Sequence, residues 1–197
     1  MGSMTHSFNI QRVPSTSQAV FRKRAQAGAH SAFAQSSQTT CFLHEFPTNL
    51  LSQLEQFYQE VLSVINNSTD LQLFPIKETF CERIYAIDYP GPTIKLPFHY
   101  DCNDASDWKC QILLEKSVGA PALWVTDAAG HKTPLREDVH NICLFHPHSC
   151  FHGIPEGSGC RRVLLMTFTK LQNDHRPIVC HADLTSKPVK FISVPAQ

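Results

Sequence analysis

Two periods of apolar residues run along this chain, and each period predicts a different kind of element. Between residues 49 and 65 the apolar side chains recur at helical spacing, and glutamine and glutamate occupy the opposite face. We therefore predict one amphipathic helix, which ends at the polar run NNSTD. Its apolar stripe needs a partner, so the helix is expected to pack on the outside of a sheet.

After the helix, short apolar or alternating runs are separated by turn residues such as proline, glycine, asparagine and aspartate. Such runs predict the strands of a sheet. The predicted strands are ERIYAIDY, TIKLPFHY, CQILLEK, ALWVTD, NICLFHP, RVLLMTFT and KFISV. Many short strands beside a helical segment favour a mainly β fold with flanking helices. The core is then a jelly roll, also called a double-stranded β-helix.

The length of the chain suits one domain, and its charge and apolar runs exclude two kinds of partner. The 197 residues suffice for one domain with a core of its own. The chain has 17 Lys and Arg against 17 Asp and Glu, so it lacks the basic field that attracts nucleic acid or an anionic membrane. No apolar run is long enough to span a bilayer. We expect a soluble protein with neither nucleic acid nor membrane as partner, while the sequence leaves the oligomeric state open.

The first 40 residues differ in composition from the rest. The opening MGSM suggests the scar of an affinity tag, and residues 4–40 are rich in Ser, Gln and Ala, contain Arg and Lys, and carry no acid. We predict a basic, flexible tail over residues 1–40 and a single domain over residues 41–197. The same composition also fits an organelle transit peptide, or an arm that closes over a substrate.

The cysteines indicate a reducing compartment. None of the 8 cysteines forms a CxxC pair, and most lie in apolar runs such as NICLF, where a reduced cysteine packs as a small hydrophobic residue. No secretory segment precedes them. We therefore expect free thiols in an intracellular protein. The location is cytoplasmic unless the N-terminal segment directs the chain to an organelle.

His99 and Asp101 are the first candidates for chemistry. They stand one residue apart in PFHYDCND, at the end of a predicted strand. Residues two apart in a strand share a face, so the imidazole and the carboxylate would lie side by side, as two ligands of a first-row metal do. The same pair also suits the polar end of an ordinary strand. A third ligand from elsewhere in the chain decides between the two interpretations.

His152 supplies the candidate third ligand. It precedes the segment GIPEGSG, which we predict to be a turn, and the strand after that turn opens with Arg161 and Arg162. Two histidines and a carboxylate form the facial set that holds Fe(II) and leaves positions open. A nearby guanidinium can donate two parallel hydrogen bonds to the carboxylate of a bound acid. Neighbours in a strand point to opposite faces, so only one arginine reaches the pocket, and the preceding glycine favours Arg161.

In these residues the chain resembles the Fe(II)/2-oxoglutarate-dependent dioxygenase superfamily. The matching residues are the pair His99 and Asp101, then His152, and Arg161 nine residues later. The resemblance extends over about residues 80–170.

The resemblance is closest to the prolyl-hydroxylase-like branch. The triplet Tyr89-Pro90-Gly91 precedes His99 at the distance seen in that branch, and residues 118–123 are similar to its GGxL turn. In that pattern Tyr89 lies near the cosubstrate.

The resemblance implies an activity and a set of roles. His99, Asp101 and His152 would be the catalytic ligands of Fe(II), while Arg161 and Tyr89 would bind the cosubstrate 2-oxoglutarate. O2 would be the second cosubstrate, with ascorbate in a supporting role. The expected reaction oxidises an unactivated C–H of a small-molecule or amino-acid-like substrate, most simply by hydroxylation, and yields succinate and CO2.

Alternatives remain open at this point. The substrate is either a small molecule or a residue in a peptide, as for a prolyl-type side-chain hydroxylase. A third interpretation is a jelly-roll binding protein without catalysis. Relatives that demethylate nucleic acids carry a second arginine where this chain has Thr167 and Phe168, and relatives that halogenate replace the carboxylate that Asp101 provides. Both of these activities are therefore disfavoured.

Further residues near the predicted site have a structural interpretation beside the functional one. Tyr85 and Trp124 are expected to be core or pocket-wall aromatics that also touch substrate, and Arg162 is a third candidate for substrate contact. His146 and His148 flank Pro147, which opposes a helical zinc pair. We expect both histidines at strand ends or on the surface.

Overall fold

The computed structural model describes residues 14–16, 18–22, 36–101, 106–126, 130–135, 137, 141–170, 178–183 and 190–193. One α-helix, α1 (Thr48–Ser68), follows a short 3-10 turn at Leu43–Glu45 in this part of the chain. The strands are β1 (Thr39–Phe42), β2 (Leu73–Pro75), β3 (Ile84–Tyr89), β4 (Thr93–His99), β5 (Asp107–Lys116), β6 (Trp124–Thr126), β7 (Lys132–Pro134), β8 (Asn141–Phe145), β9 (His152–Ser158), β10 (Arg161–Lys170), β11 (Ile178–Asp183) and β12 (Lys190–Ser193).

The strands form two antiparallel sheets. The larger has the order β1-β3-β10-β5-β8-β11-β12, with β2 also paired to β10, and the smaller has the order β4-β9-β6-β7. Strands that are distant in sequence become neighbours in both sheets, which is the arrangement of a jelly roll. The predicted fold class, mainly β with a jelly-roll core, is confirmed.

Helix α1 covers the outer face of the larger sheet. Its buried face belongs to the same apolar cluster as the outward side chains of β3, β5 and β10. The buried hydroxyl of Tyr58 donates a hydrogen bond to the carbonyl of Thr167 over 2.7 Å and fixes the helix on β10. The helix thus lies where its apolar stripe predicts.

The helix runs three residues beyond its predicted end. Asn66 exchanges two hydrogen bonds of 2.7 Å with the backbone of Leu73, and the side chain and backbone of Thr69 cap the Ile65 carbonyl. The first three residues of the polar run NNSTD therefore extend the helix, because side chains of the run satisfy backbone groups of β2 and of the helix end.

A second apolar cluster fills the space between the two sheets. Alternate residues on β3 separate the clusters: Ile84 and Ala86 face the helix, while Tyr85, Ile87 and Tyr89 face the smaller sheet. Strand β5 follows the same period-two rule. The inner side of the larger sheet therefore faces a separate compartment, in which the candidate site lies.

The segment GIPEGSG is a strand, and the predicted turn is wrong. Residues 152–158 form β9, and the chain turns only at Gly159, whose φ is +120°. Gly153 explains the pairing, because a Cβ at this position would lie 2.8 Å from the Leu96 carbonyl oxygen and from Phe98 Cα. Glycine permits β4 to approach β9 closely, and this approach sets His99 opposite His152.

The end of the predicted tail contacts the domain. Strand β1 begins at Thr39 and pairs with β3, so the boundary predicted at residue 40 falls inside a strand. Gln38 is buried and hydrogen-bonded to Tyr89, and Arg22 forms a β-bridge with Thr40. The polar composition of this segment concealed a strand that docks through its backbone. Residues 1–13, 17 and 23–35 of the predicted tail lie outside the described residues.

Two further expectations concern the cysteines and the membrane. The cysteines whose side chains are described are free thiols, as expected: Cys41, Cys81, Cys110, Cys143, Cys150 and Cys160. Within the described residues no helix combines the length and the apolar character needed to cross a membrane.

We predict that Gly153→Ala lowers the free energy of unfolding by about 1–3 kcal/mol, because the added methyl group overlaps backbone atoms of β4 that cannot turn away. Urea unfolding followed by circular dichroism measures the change. Glu156→Ala on the same strand is the control, since it removes only an exposed ion pair with Lys95 and should cost less than about 1 kcal/mol. Equal effects of the two substitutions would contradict the close approach of β4 and β9.

Candidate metal centre

His99, Asp101 and His152 converge at one end of the space between the sheets. One ligand atom from each residue lies within 4.8 Å of the other two, and this is the only such group of three among the described residues. His99 Nε2 lies 3.2 Å from Asp101 Oδ1, and His152 Nε2 lies 3.7 Å from the same oxygen. The structure thus brings together the three residues that the sequence nominates.

The backbone sets the tautomer of both histidines. His99 Nδ1 lies 2.8 Å from the Pro97 carbonyl oxygen, and His152 Nδ1 lies 2.8 Å from that of Cys150. A carbonyl only accepts hydrogen bonds, so each Nδ1 carries the proton and each Nε2 presents its lone pair toward Asp101. This arrangement is usual for histidines that bind metals, and the donor set fits a divalent first-row ion such as Fe(II).

Lys109 holds the other oxygen of the Asp101 carboxylate. Its Nζ lies 2.7 Å from Oδ2, and both side chains are almost fully buried. The backbone N–H of Asp101 also donates to the carbonyl of Pro147 over 3.1 Å. These contacts fix the carboxylate so that Oδ1 alone faces the two imidazoles.

The charges around Asp101 are mutually stabilised. Burial alone would raise the pKa of Asp101, but the positive charge of Lys109 outweighs it and holds this pKa below its ordinary value. Burial alone would lower the pKa of Lys109, whereas its neighbours Tyr85, Asp101 and Glu82 raise the net pKa above the usual range. Asp101 is therefore an anion and Lys109 a cation at neutral pH.

His152 is neutral in the same surroundings. Burial lowers its pKa to about 4, and the attraction of Asp101 opposes this only in part. An unprotonated imidazole is the form that a metal requires.

The triad forms part of the wall of a cavity that opens to solvent and whose empty space, with this solvent included, is about 400 Å³. Its apolar lining comes from the inner cluster, and nine of its lining residues carry polar groups. These residues are Gln38, Tyr85, Tyr89, His99, Asp101, Lys109, Gln111, His152 and Arg161. A lining that combines apolar surface with placed polar groups suits small organic ligands.

Arg161 lines the cavity, and its guanidinium is bound by a buried carboxylate. Glu137 accepts hydrogen bonds from Arg161 Nε over 3.3 Å and from Nη2 at close range. Both side chains are 1% exposed. The arginine is therefore held in place by a counter-ion from the segment between β7 and β8.

Tyr89 and Tyr85 also lie on the cavity wall. The Tyr89 hydroxyl donates to Gln38 Oε1 over 3.0 Å, and the Arg161 guanidinium lies 5.6 Å from the centre of the Tyr89 ring. Lys109 Nζ lies 5.5 Å from the centre of the Tyr85 ring. Burial raises the pKa of both phenols, so both remain protonated hydrogen-bond donors.

Two of the candidates for substrate contact lie elsewhere. Arg162 points away from the cavity, pairs with Asp88 over 3.1 Å and stacks on Phe21. Trp124 pairs with Gly153 through the backbone of β6 and is not among the residues that line the cavity. The alternation along β10 separates the two arginines, and Arg161 shares the inner face with Val163 and Leu165.

His146 lies at the end of a strand, one of the two places expected for it, and it is buried there. It follows β8 directly, is 0% exposed, and its Nδ1 lies 2.5 Å from Ser149 Oγ. The Ser149 hydroxyl satisfies one of its polar atoms, which permits the burial. His148 is exposed, as expected.

Sequence reasoning missed four polar residues of the site. Lys109 and Gln111 are the inward members of β5, between the outward Trp108, Cys110 and Ile112. A charged and an amide residue at alternate positions of an apolar strand signal a polar inner face, and this was detectable. Gln38 and Glu137 lie outside the predicted strands. Only the tertiary structure brings these two to the cavity and to Arg161.

We predict that Lys109→Met lowers the stability of the chelator-treated protein by about 3–5 kcal/mol, because the Asp101 carboxylate stays buried without its cation. Saturating Mn²⁺ should then stabilise the variant more than the wild type, since the metal supplies the missing charge. Urea unfolding with and without Mn²⁺ measures both quantities. Lys95→Met, at an exposed ion pair, is the control, and an equal gain from Mn²⁺ in wild type and Lys109→Met would contradict the pairing.

Of the comparisons with known proteins, the one with solved structures supports the fold. No protein-family model matches the sequence, and no curated protein matches it. Among solved structures, a Pseudomonas putida prolyl-4-hydroxylase is similar, with 12% sequence identity and a TM-score of 0.50 over 68% of this chain and 72% of that chain. A prolyl 4-hydroxylase from Phytophthora capsici has 13% identity and a TM-score of 0.45 over 68% of this chain and 48% of its own. This chain therefore has the jelly-roll fold of the Pseudomonas putida structure and carries a His-Asp-His triad within it.

Proposed function

We propose that this protein is an Fe(II)- and 2-oxoglutarate-dependent dioxygenase that hydroxylates an unactivated C–H of a small-molecule or amino-acid-like substrate. The observation that carries the proposal is the triad of His99, Asp101 and His152 on the wall of a cavity that Arg161 also lines. A metal site and a guanidinium on the wall of one cavity suit an acid that chelates the metal and extends a second carboxylate toward the cation.

His99, Asp101 and His152 would hold the iron, and Arg161 and Tyr89 would hold the cosubstrate. With its cosubstrates bound, the iron supplies the oxidation of the C–H bond, with succinate and CO2 as co-products. The two imidazoles and the carboxylate would hold the metal at the cavity wall, where cosubstrate and substrate can reach it. The chain needs no general base, and its contribution is to position the reactants and to exclude water.

Lys109 has a positioning role in this proposal. By holding Asp101 Oδ2, it leaves a single carboxylate oxygen for the metal. The apolar residues between the sheets would limit the access of water to the part of the cavity where the substrate reacts.

The mixed apolar and polar lining of the cavity supports a small substrate. The cosubstrate and the reacting group of the substrate would occupy this cavity together. A second candidate is hydroxylation of a residue in a peptide, which the similarity in fold to a protein named prolyl-4-hydroxylase favours. In that case only the side chain of the target residue would enter the cavity.

The proposal is tested by measuring succinate after incubation of the protein with Fe(II), 2-oxoglutarate, ascorbate and air. Pools of metabolites and peptide libraries serve as substrates and separate the two candidates. We expect His152→Ala to reduce succinate formation by more than the roughly 10–100-fold that loss of an outer partner of a metal ligand costs. His148→Ala, an exposed histidine four residues away, should retain the wild-type rate.

Two results would contradict the proposal. One is undiminished turnover in His152→Ala. The other is a wild type that binds Fe(II) but forms no succinate with any substrate, which would favour a binding protein with a jelly-roll fold.

A further inference from the structure

The buried carboxylate of Glu137 binds Arg161, the cation on the wall of the cavity that the proposed cosubstrate would occupy. We propose that the groups around Glu137 form a carboxylate receptor, from which the 5-carboxylate of 2-oxoglutarate displaces Glu137. This inference rests on the proposed function. It makes Glu137 the residue that determines how strongly the protein prefers a 2-oxo dicarboxylate to a 2-oxo monocarboxylate.

The receptor consists of four donors from three parts of the chain. Besides the two N–H groups of Arg161, Glu137 Oε1 accepts from Gln111 Nε2 over 2.8 Å and from the backbone N–H of Leu123 over 3.1 Å. Lys116 Nζ lies 3.7 Å from Oε2. Both carboxylate oxygens are therefore supplied with donors in a buried place, as a specific carboxylate site requires.

A ligand in the cavity can reach the same donors. Arg161, Gln111 and Leu123 all line the cavity that contains His99, Asp101 and His152. A dicarboxylate that chelates a metal at the triad therefore has the receptor on the wall of the space that it occupies. The metal site and the receptor belong to one cavity.

Replacement of Glu137 by the carboxylate of the ligand costs less free energy than simultaneous binding of both carboxylates to Arg161. Two carboxylates on one buried guanidinium repel each other, and removal of Glu137 without a replacement would leave Arg161 buried and unpaired. When one carboxylate replaces the other, the charge and the number of acceptors at the receptor stay the same. Glu137 lies between β7 and β8 and not within a strand, so its withdrawal breaks no sheet pairing.

Competition from Glu137 weakens the binding of a dicarboxylate. The apparent dissociation constant equals the intrinsic one divided by the fraction of molecules whose receptor is open. If Glu137 fills the receptor in nine of ten molecules, the affinity is about tenfold below its intrinsic value. A ligand without the second carboxylate does not compete with Glu137, so Glu137 leaves its affinity unchanged.

The test compares two ligands of equal chain length. Dissociation constants of 2-oxoglutarate and 2-oxopentanoate are measured by calorimetry on Mn²⁺-loaded protein without oxygen, so that no turnover is needed. We expect Glu137→Gln to bind 2-oxoglutarate about tenfold more tightly than the wild type and to bind 2-oxopentanoate equally well. Glu115→Gln is the matched control: it removes one negative charge beside Lys116 at an exposed position and should behave as the wild type.

Folding of each variant is checked by circular dichroism. If Glu137→Gln does not fold, Glu137→Asp tests the same competition, because it keeps the charge and shortens the reach of the carboxylate by one methylene group. Tighter binding of 2-oxoglutarate alone by Glu137→Asp would then support the exchange.

Two outcomes overturn the inference and differ in what else they overturn. Weaker or unchanged binding of 2-oxoglutarate by the folded variants would make Glu137 a permanent counter-ion that orients Arg161, and the proposed function would stand. Failure of 2-oxoglutarate to bind to the wild type and to every variant, with Mn²⁺ bound, would overturn the proposed function together with the exchange.

Discussion

Ionised groups buried between the two sheets need partners, and this constraint organises the inner compartment of the protein. At the triad, Lys109 compensates Asp101, and around Arg161, Glu137 compensates the guanidinium. Burial of any of these four ionised side chains without its partner would cost several kilocalories per mole of folding free energy, on the order of the values known for unpaired buried charges. The two pairs join strands β5 and β10 to the segments that follow β4 and β7. They therefore determine the two polar regions of an otherwise apolar cavity.

The close approach of β4 and β9 determines the geometry of the metal site in the same compartment. Because Gly153 has no side chain, the backbone of β4 comes near enough to set His99 opposite His152, and backbone carbonyls fix both rings. The two histidine ligands thus come from two paired strands rather than from loops, which limits their movement. A site held in this way is preorganised for a metal, because its donors already converge.

Much of the fold and the centre of the site were predictable from local patterns. The apolar stripe of α1 and the alternation along β3, β4, β5, β8 and β10 gave these elements, because burial on one face imposes a period on the sequence. Four of the five unpredicted strands lacked that signal: β1 is half threonine, β2 and β7 have three residues each, and β9 contains glycine and proline. The fifth is β11. Backbone pairing and neighbouring strands stabilise such segments, and neither leaves a periodic pattern.

The sequence by itself determined the residue types and spacings of the candidate site: the histidine and aspartate one residue apart, the later histidine, and the arginine that opens a strand. Their spacing follows from strand geometry, which is local. Only the tertiary structure decided that Lys109 faces Asp101, that Gln38 reaches the cavity, and that Glu137 binds Arg161. These partners are far apart in the chain, and nothing in their local sequence encodes the contact. A buried charge selects its partner by position in space.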